Sequence, residues 1–211
     1  MSGILQAVLG SLGGSTDPVP IGSSYQGGYY AGKISTAGNG IADYYLVVAP
    51  VSSGQASRRW KTTDTSTTGT SSLIDGPTNS SNMNNASHPA AQFCEGLTIG
   101  GYSDWYMPAT NELEICYFNL KPTTTSNYTG SGSNSNAVPT RSNNYTSGTP
   151  AQTSASDFKD TGAEDFAAAF YWTSTEYSAS FGSVQHFSDG DQTGTTKSNP
   201  LNVRAVRRVA V

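Results

Sequence analysis

The chain has 211 residues, enough for one large domain, and only 12% of them are charged. Its net charge of −4 gives no reason to expect nucleic-acid binding, which usually needs a basic patch. No apolar run approaches the roughly 20 residues that span a bilayer, and the two cysteines form no CxxC motif, so neither membrane insertion nor a cysteine-based metal site is expected.

Residues 1–24 are predicted to form an N-terminal arm and linker. Ile4, Val8 and Leu12 share one side of a predicted helix, and Gly13-Gly14 ends the pattern. The arm has no positively charged start, so a cleaved signal peptide is not expected. The apolar side indicates an anchor that docks on another subunit or another protein, and a disordered leader is the alternative.

The globular domain, predicted over residues 25–211, opens with two strands. YQGGYYAGKIS and ADYYLVVAPV are rich in aromatic and β-branched residues, and GNG at 38–40 supplies the turn of a hairpin between them. Residues 58–85 follow as a predicted polar loop that contains Trp60.

A first helix is predicted in SHPAAQFCEGL. Pro89 suits a first helical turn, and His88 before it is expected to act as the cap. Apolar residues then repeat at helical spacing, namely Ala90, Phe93, Cys94 and Leu97.

A second helix is predicted in MPATNELEICYFNLKP. Thr110 can cap it, Glu112 and Glu114 fall in its favourable first turn, and Pro122 ends it. Cys116 lies on its apolar stripe, as the other cysteine does on the first helix. Buried free thiols are therefore favoured over a disulfide.

The remaining chain is predicted to be a long loop followed by strands. Residues 123–157 are mostly Ser, Thr, Asn and Gly, which is typical of a functional or disordered loop. A short helix is predicted in AEDFAAAF at 163–170. Strands are predicted in YWTSTEY, GSVQHFS and LNVRAVRRV.

Three motifs resemble, in the same order, those of the C-terminal domain family of the Legionella collagen-like adhesin. They are IGGYSDWYMPATNELEICY at 99–117, YWTSTEYS at 171–178 and VRAVRR at 203–208. The resemblance covers roughly residues 25–209 and implies an α+β, C-type-lectin-like fold with two helices, small antiparallel sheets and long polar loops. This fold is shared with the formylglycine-generating enzymes, and appendage proteins of marine phages carry similar domains.

The signature residues of these motifs are expected to hold the fold. Trp105 and Trp172 should be buried, since large aromatic side chains contribute the most burial. Arg204 and Arg207 should be partly buried and should pair with a carboxylate. The carboxylates that suit this role are Glu176 and Asp104.

No catalytic constellation is visible. His88 and His186 lie far apart in sequence, and a Ser-His-Asp triad drawn from so many serines has little specificity. The cysteines do not fall on the enzyme motif of the formylglycine-generating relatives. We therefore expect no enzymatic activity and no cofactor.

Asp189-Gly190-Asp191 supports two interpretations. Paired carboxylates around a glycine suit Ca²⁺, whereas Asp-Gly is itself a hairpin signal. The plain turn is favoured, because the ligand triplets of calcium-dependent lectins are absent from the sequence.

The segment after YWTSTE is the candidate ligand-binding surface. Tyrosine among Ser and Gly favours recognition, because tyrosine adds contact area at low entropic cost. The resemblance also implies a solvent-facing binding surface here, although Phe181, Gly182 and Ser183 replace the Trp and Asn-rich run frequent in the family. The candidate residues are Tyr177, Ser178, Ser180, Phe181, Ser183, Val184, His186, Ser188, Asp189 and Asp191.

These features predict a phage virion protein, a tail or capsid appendage that assembles in the host cytoplasm. The arm would bind other virion proteins, and the outward domain would bind a host-surface glycan or protein. Individually weak sites would favour a homo-oligomer. The alternatives are a decoration protein without receptor binding and a bacterial surface adhesin, and an enzyme related to the formylglycine-generating family ranks last.

Overall fold

A computed structural model describes residues 16–211, so the predicted anchor residues Ile4, Val8 and Leu12 lie outside the described residues. Helices and strands mix in the described part, which confirms the predicted α+β class. The helices are α1 Val51–Gly54, α2 Gly76–Asn82, α3 Pro89–Glu95 and α4 Thr110–Leu120. The strands are β1 Ser24–Tyr25, β2 Gly28–Ile34, β3 Tyr44–Val48, β4 Gln55–Arg59, β5 Ala137–Val138, β6 Phe170–Glu176, β7 Phe181–His186, β8 Gln192–Thr196, β9 Pro200–Arg204 and β10 Val206–Ala210.

The strands form two five-stranded sheets. The first has the order β1-β2-β3-β10, with β5 paired to β2, and the second has the order β4-β9-β6-β7-β8. The predicted hairpin across GNG joins β2 to β3 in antiparallel register. Strands β6 and β9 pair in parallel, so the second sheet is mixed rather than purely antiparallel as predicted.

The predicted single strand LNVRAVRRV is wrong, because it divides into β9 and β10. Strand β9 pairs with β4 in the second sheet, whereas β10 pairs with β3 in the first. The break is at buried Ala205, whose N–H donates to the Gly54 carbonyl and whose carbonyl accepts from the Ala49 N–H, both at 2.9 Å. One short segment therefore joins the two sheets.

Two apolar clusters form the core. One surrounds α4 and includes Leu113 and Cys116, and the other contains Cys94 and the buried Trp105 and Trp172. The Trp172 indole N–H donates to the carbonyl of Arg58 at 3.0 Å, so its polar edge is satisfied. The predicted structural role of both signature tryptophans is confirmed.

The two predicted helices are present as α3 and α4, but their predicted caps are wrong. Thr110 is the first helical residue, and Ala109 holds the cap position. The Ala109 N–H donates to the Glu112 carboxylate at 2.8 Å, and the Thr110 hydroxyl lies 3.2 Å from the Thr173 hydroxyl instead of capping the helix. His88 holds the cap position of α3 but makes no capping hydrogen bond, because its ring nitrogens contact Asn85 and Thr67 instead.

The predicted helix in AEDFAAAF is also wrong, since residues 163–169 are irregular. Alanine favours helix intrinsically, but tertiary contacts override this preference here. Arg204 Nη1 donates to the Glu164 carbonyl at 2.9 Å, and the ring of Phe166 stacks on Phe187 with centroids 4.0 Å apart. The Glu164 carbonyl thus accepts from an arginine side chain, and the Phe166 ring is held in the core by Phe187.

Helices α1 and α2 were not predicted from the sequence. Helix α2 falls in the predicted polar loop at 58–85, and Asp75 caps it by accepting from the Thr78 N–H at 3.2 Å. Pro77 in the first turn of α2 completes a helix-start signal that the sequence carried.

Residues 17–24, predicted as the end of the linker, contact the domain. The Tyr30 hydroxyl donates to Asp17 at 2.6 Å, and the Gly22 N–H donates to the Tyr30 carbonyl at 2.8 Å. No helix in the 16–211 range has the length and apolar content needed to cross a bilayer.

Both cysteines are free and buried, and burial raises the pKa of each thiol above its ordinary value. We predict that a thiol reagent labels neither Cys94 nor Cys116 in the native protein and labels both after unreduced denaturation, as measured by intact mass. Rapid labelling of the native protein would contradict the packing of α3 and α4. No labelling after denaturation would indicate a disulfide.

Candidate ligand-binding surface

The candidate surface divides into two separate patches along β7. Phe181 and His186 lie at opposite ends of this strand, about 17 Å apart at roughly 3.4 Å per residue. We call the first group the tip patch, and it consists of Tyr177, Ser178, Ser180 and Phe181. We call the second group the turn patch, and it consists of His186, Ser188, Asp189 and Asp191.

Ser183 and Val184 were predicted to belong to the surface, and both predictions are wrong. Ser183 is only 7% exposed and Val184 only 1% exposed. Strand β7 is an inner strand of the second sheet, between β6 and β8, and Val184 packs in the core cluster that contains Trp172. Because adjacent side chains of a strand point to opposite faces, the burial of both residues shows that both faces of β7 are covered here.

The tip patch presents two exposed rings on a tight turn. Tyr177 is 61% exposed and Phe181 is 40% exposed. The backbone N–H groups of Tyr177 and Ser178 both donate to the Phe181 carbonyl at 3.0 Å, which closes the turn. The Tyr177 ring lies over Gly194 of β8, where an added Cβ would come within 2.4 Å of the ring. Glycine at 194 therefore provides the flat surface on which this ring rests.

A buried ion pair supports the tip patch from below. The Lys197 ammonium is fully buried and pairs with the Glu176 carboxylate. It also donates to the carbonyls of Ala179 and Thr65, at 2.8 and 2.9 Å. Glu176 accepts a further hydrogen bond from the Thr67 N–H at 2.8 Å. The pair thus ties the tip to residues 65–67, and its hydrogen bonds offset the cost of desolvating two charges.

The closing motif is VRAVRR at residues 203–208, and its arginines pair with carboxylates other than Glu176. One of the two predicted carboxylate partners, Asp104, is confirmed. Arg207 makes a bidentate contact with Asp104, at 2.7 and 2.9 Å, as predicted. Arg204 pairs instead with Glu164, because that irregular segment lies against β9. The complete set of pairs in this motif is Arg204–Glu164, Arg207–Asp104 and Arg208–Glu112.

The turn patch closes the β7–β8 hairpin. Gly190 has a φ of +81°, and its N–H donates to the His186 carbonyl at 2.8 Å. The His186 ring packs on Phe170 with centroids 4.4 Å apart, and its Nδ1 lies 2.9 Å from Asp189 Oδ1. Burial, together with the charge of Asp189, raises the pKa of Asp191. Among residues 16–211, no three His, Cys, Asp or Glu side chains group closely enough to hold a metal ion.

Tyr128 extends the turn patch and was not predicted from the sequence. Its N–H donates to the Asp189 carbonyl at 2.8 Å, and its ring is 52% exposed. The Thr123 hydroxyl likewise donates to the Ser188 carbonyl at 2.7 Å. The long polar loop is therefore fixed against the turn, and a tyrosine among its Ser and Thr residues was the one available signal.

His88 lies beneath the segment that supports the tip patch. It is only 5% exposed, and its Nε2 lies 2.9 Å from the Thr67 hydroxyl and its Nδ1 2.9 Å from Asn85 Oδ1. Burial, with smaller contributions from the charges of Lys61 and Lys197, lowers the pKa of His88 to about 4. The ring is therefore neutral at neutral pH.

Comparison with known proteins identifies one family. A family model described as the Lcl C-terminal domain matches residues 52–207. The matched range begins after β3 and contains both patches, the first two motifs noted in the sequence, and the third motif as far as Arg207. No curated protein matches the chain.

The lowered pKa of His88 predicts a loss of stability in acid. Its folded pKa of about 4 lies below the unfolded value of 6.5, so the unfolded state binds the proton first. The contribution of neutral His88 to the free energy of unfolding is fully present above pH 6.5. It falls by about 3 kcal/mol as the pH drops to 4, at roughly 1.36 kcal/mol per pKa unit. Urea denaturation at about pH 7 and about pH 4.5 measures the difference.

His88→Gln should remove this part of the acid loss, because glutamine does not titrate. The matched control replaces the other histidine, as His186→Gln, and should keep the loss. Equal acid losses in the wild type and His88→Gln would contradict the assignment.

Proposed function

The chain belongs to the Lcl C-terminal domain family and carries an adhesin-like domain, and from that premise we propose that it is a phage virion protein whose tip patch binds the host cell surface. The observation that carries this proposal is the pair of exposed rings, Tyr177 and Phe181, on a rigidly supported turn. Exposed aromatic side chains on a fixed scaffold are typical of recognition surfaces. Because the turn is already rigid, binding costs less conformational entropy than it would with a flexible loop.

The chemistry of the tip patch favours a glycan as the ligand. The two rings offer apolar faces, and Ser178 and Ser180 offer exposed hydroxyl groups. The charges nearest the patch, Lys197 and Glu176, neutralise each other. Each hydroxyl contact contributes roughly 1 kcal/mol, so useful attachment would require several copies acting together in a homo-oligomer or array.

Several buried groups support binding rather than catalysis as the role. Burial raises the pKa of both thiols, which disfavours the nucleophilic thiolate. Burial also keeps His88 neutral and engaged with two neighbours. We propose that the protein is not an enzyme and that it needs no cofactor.

The virion setting is supported by the motif resemblance to phage appendage proteins and by the predicted anchor at Ile4, Val8 and Leu12. In this setting the anchor binds other virion proteins and the tip patch faces outward. A bacterial surface adhesin is the second candidate, because the family itself is adhesin-like. Both candidates use the same patch.

We predict that Tyr177→Ala combined with Phe181→Ala weakens binding of the assembled particle to host cells by at least about tenfold, since both rings are removed from the contact. Thermal stability should change by less than about 1 kcal/mol, because both side chains are exposed. Particle binding to host cells and the melting temperature are the two measurements.

The matched control is Ile41→Ala combined with Val211→Ala, which removes two exposed apolar side chains near the β2–β3 connection, outside both patches. It should bind at the wild-type level. A separate His186→Ala variant reports on the turn patch alone. Full binding by the tip double variant would favour a decoration protein without receptor binding, and a large loss of melting temperature would mean that the rings are buried.

A further inference from the structure

A pocket of about 270 Å³ lies between α4 and the segment 140–149. Its volume is just below the roughly 300–1,000 Å³ of sites for drug-sized ligands, so it suits one small ring. Phe118, Tyr145 and Arg141 are its large side chains. Its remaining lining consists of hydroxyl and amide side chains, namely Thr140, Ser142, Asn143, Asn144, Thr146 and Thr149. It contains none of the tip-patch or turn-patch residues.

The one charged side chain of the pocket is already neutralised. The Arg141 guanidinium stacks on the Phe118 ring, with 4.0 Å between its carbon and the ring centre, and Nη2 donates to Glu114. The Glu114 carboxylate is fully buried and also accepts from the Tyr145 hydroxyl at 2.7 Å. Because the Arg141 charge is already paired, an acidic ligand would gain little net attraction. The pocket therefore favours an uncharged ligand.

The amides at the rim are free to bind, in contrast with the other asparagines of the long loop. Asn127, Asn134 and Asn136 are buried and hydrogen-bonded to neighbouring segments, where they hold the loop in place. The side chains of Asn143 and Asn144 are exposed and have no hydrogen bond within residues 16–211. Each free amide offers donors and an acceptor, which complement pairs of neighbouring hydroxyl groups.

The segment that carries these amides is held at both ends. The Arg141 N–H donates to the Asn134 carbonyl at 3.0 Å, and the Tyr145 N–H donates to the Ser131 carbonyl at 2.8 Å. The Tyr145 ring also packs against Gly190, where an added Cβ would come within 2.7 Å of it. The pocket is thus preformed, and it adjoins the turn patch.

We propose that this pocket is a second binding site, which holds one uncharged sugar ring through the rim amides and the lining side chains of Phe118, Arg141 and Tyr145. The inference goes beyond the role proposed for the tip patch. It concerns different residues, and it applies whether a virion or a cell carries the protein.

The test uses the ¹⁵N-labelled full chain titrated with uncharged methyl glycosides of glucose, galactose, mannose and N-acetylglucosamine, and separately with glucuronate. We expect at least one uncharged glycoside to shift the backbone amide signals of residues 140–149 with a dissociation constant in the millimolar range, about 4 kcal/mol. Asn143→Ala combined with Asn144→Ala should weaken this binding about tenfold, with an unchanged melting temperature.

The matched control is Asn84→Ala combined with Asn199→Ala, which removes two exposed amides outside the pocket. It should bind like the wild type. Absence of shifts at 140–149 with every uncharged glycoside would overturn the proposal, as would equal affinity in the two double variants. Binding of glucuronate in preference to the uncharged glycosides would overturn the charge argument. Loss of host-cell binding on substitution of the tip patch leaves these outcomes unaffected, so the two proposals fail separately.

Discussion

The arginine pairs of the closing segment are the interaction on which the domain depends. Within five residues, Arg204, Arg207 and Arg208 reach one carboxylate of the irregular segment before β6 and two carboxylates of the motif at 99–117. The same segment crosses from one sheet to the other at Ala205. Removing one partner of the two buried pairs, Arg204–Glu164 and Arg208–Glu112, leaves an uncompensated charge and costs about 3–5 kcal/mol. These pairs therefore hold the long connections against both sheets.

Internal pairing of charges also determines what the surface offers to a ligand. Six of the 11 Lys and Arg side chains pair with a carboxylate inside the domain. The exposed remainder is largely hydroxyls, amides and a few aromatic rings, such as Tyr177 and Tyr128. Buried ion pairs hold parts of this surface in place. The pair Lys197–Glu176 supports the tip patch, and the pair Arg141–Glu114 supports the pocket. Rigid, charge-poor surfaces of this kind suit recognition of hydroxyl-rich ligands.

Local sequence patterns predicted the parts of the structure that local forces determine. Helices α3 and α4 have clear apolar spacing, and Phe181 is exposed, as expected of the segment after YWTSTE. Long-range contacts account for the failures. Val184 is buried because β7 is covered by neighbours that the alternation of a single strand cannot reveal. The contacts of Tyr128 with the turn and of Arg141 with α4 join residues far apart in sequence, so neither site was predictable.

Hydrogen–deuterium exchange of the full chain, with and without isolated host cell envelopes, tests most directly whether the tip patch is the binding surface. Backbone amides that contact a partner exchange more slowly, and mass spectrometry of peptides locates them. We expect protection of residues 177–181 on binding, while strands β2 and β3 keep their exchange rates. Binding that protects β2 and β3 and leaves residues 177–181 unchanged would contradict it.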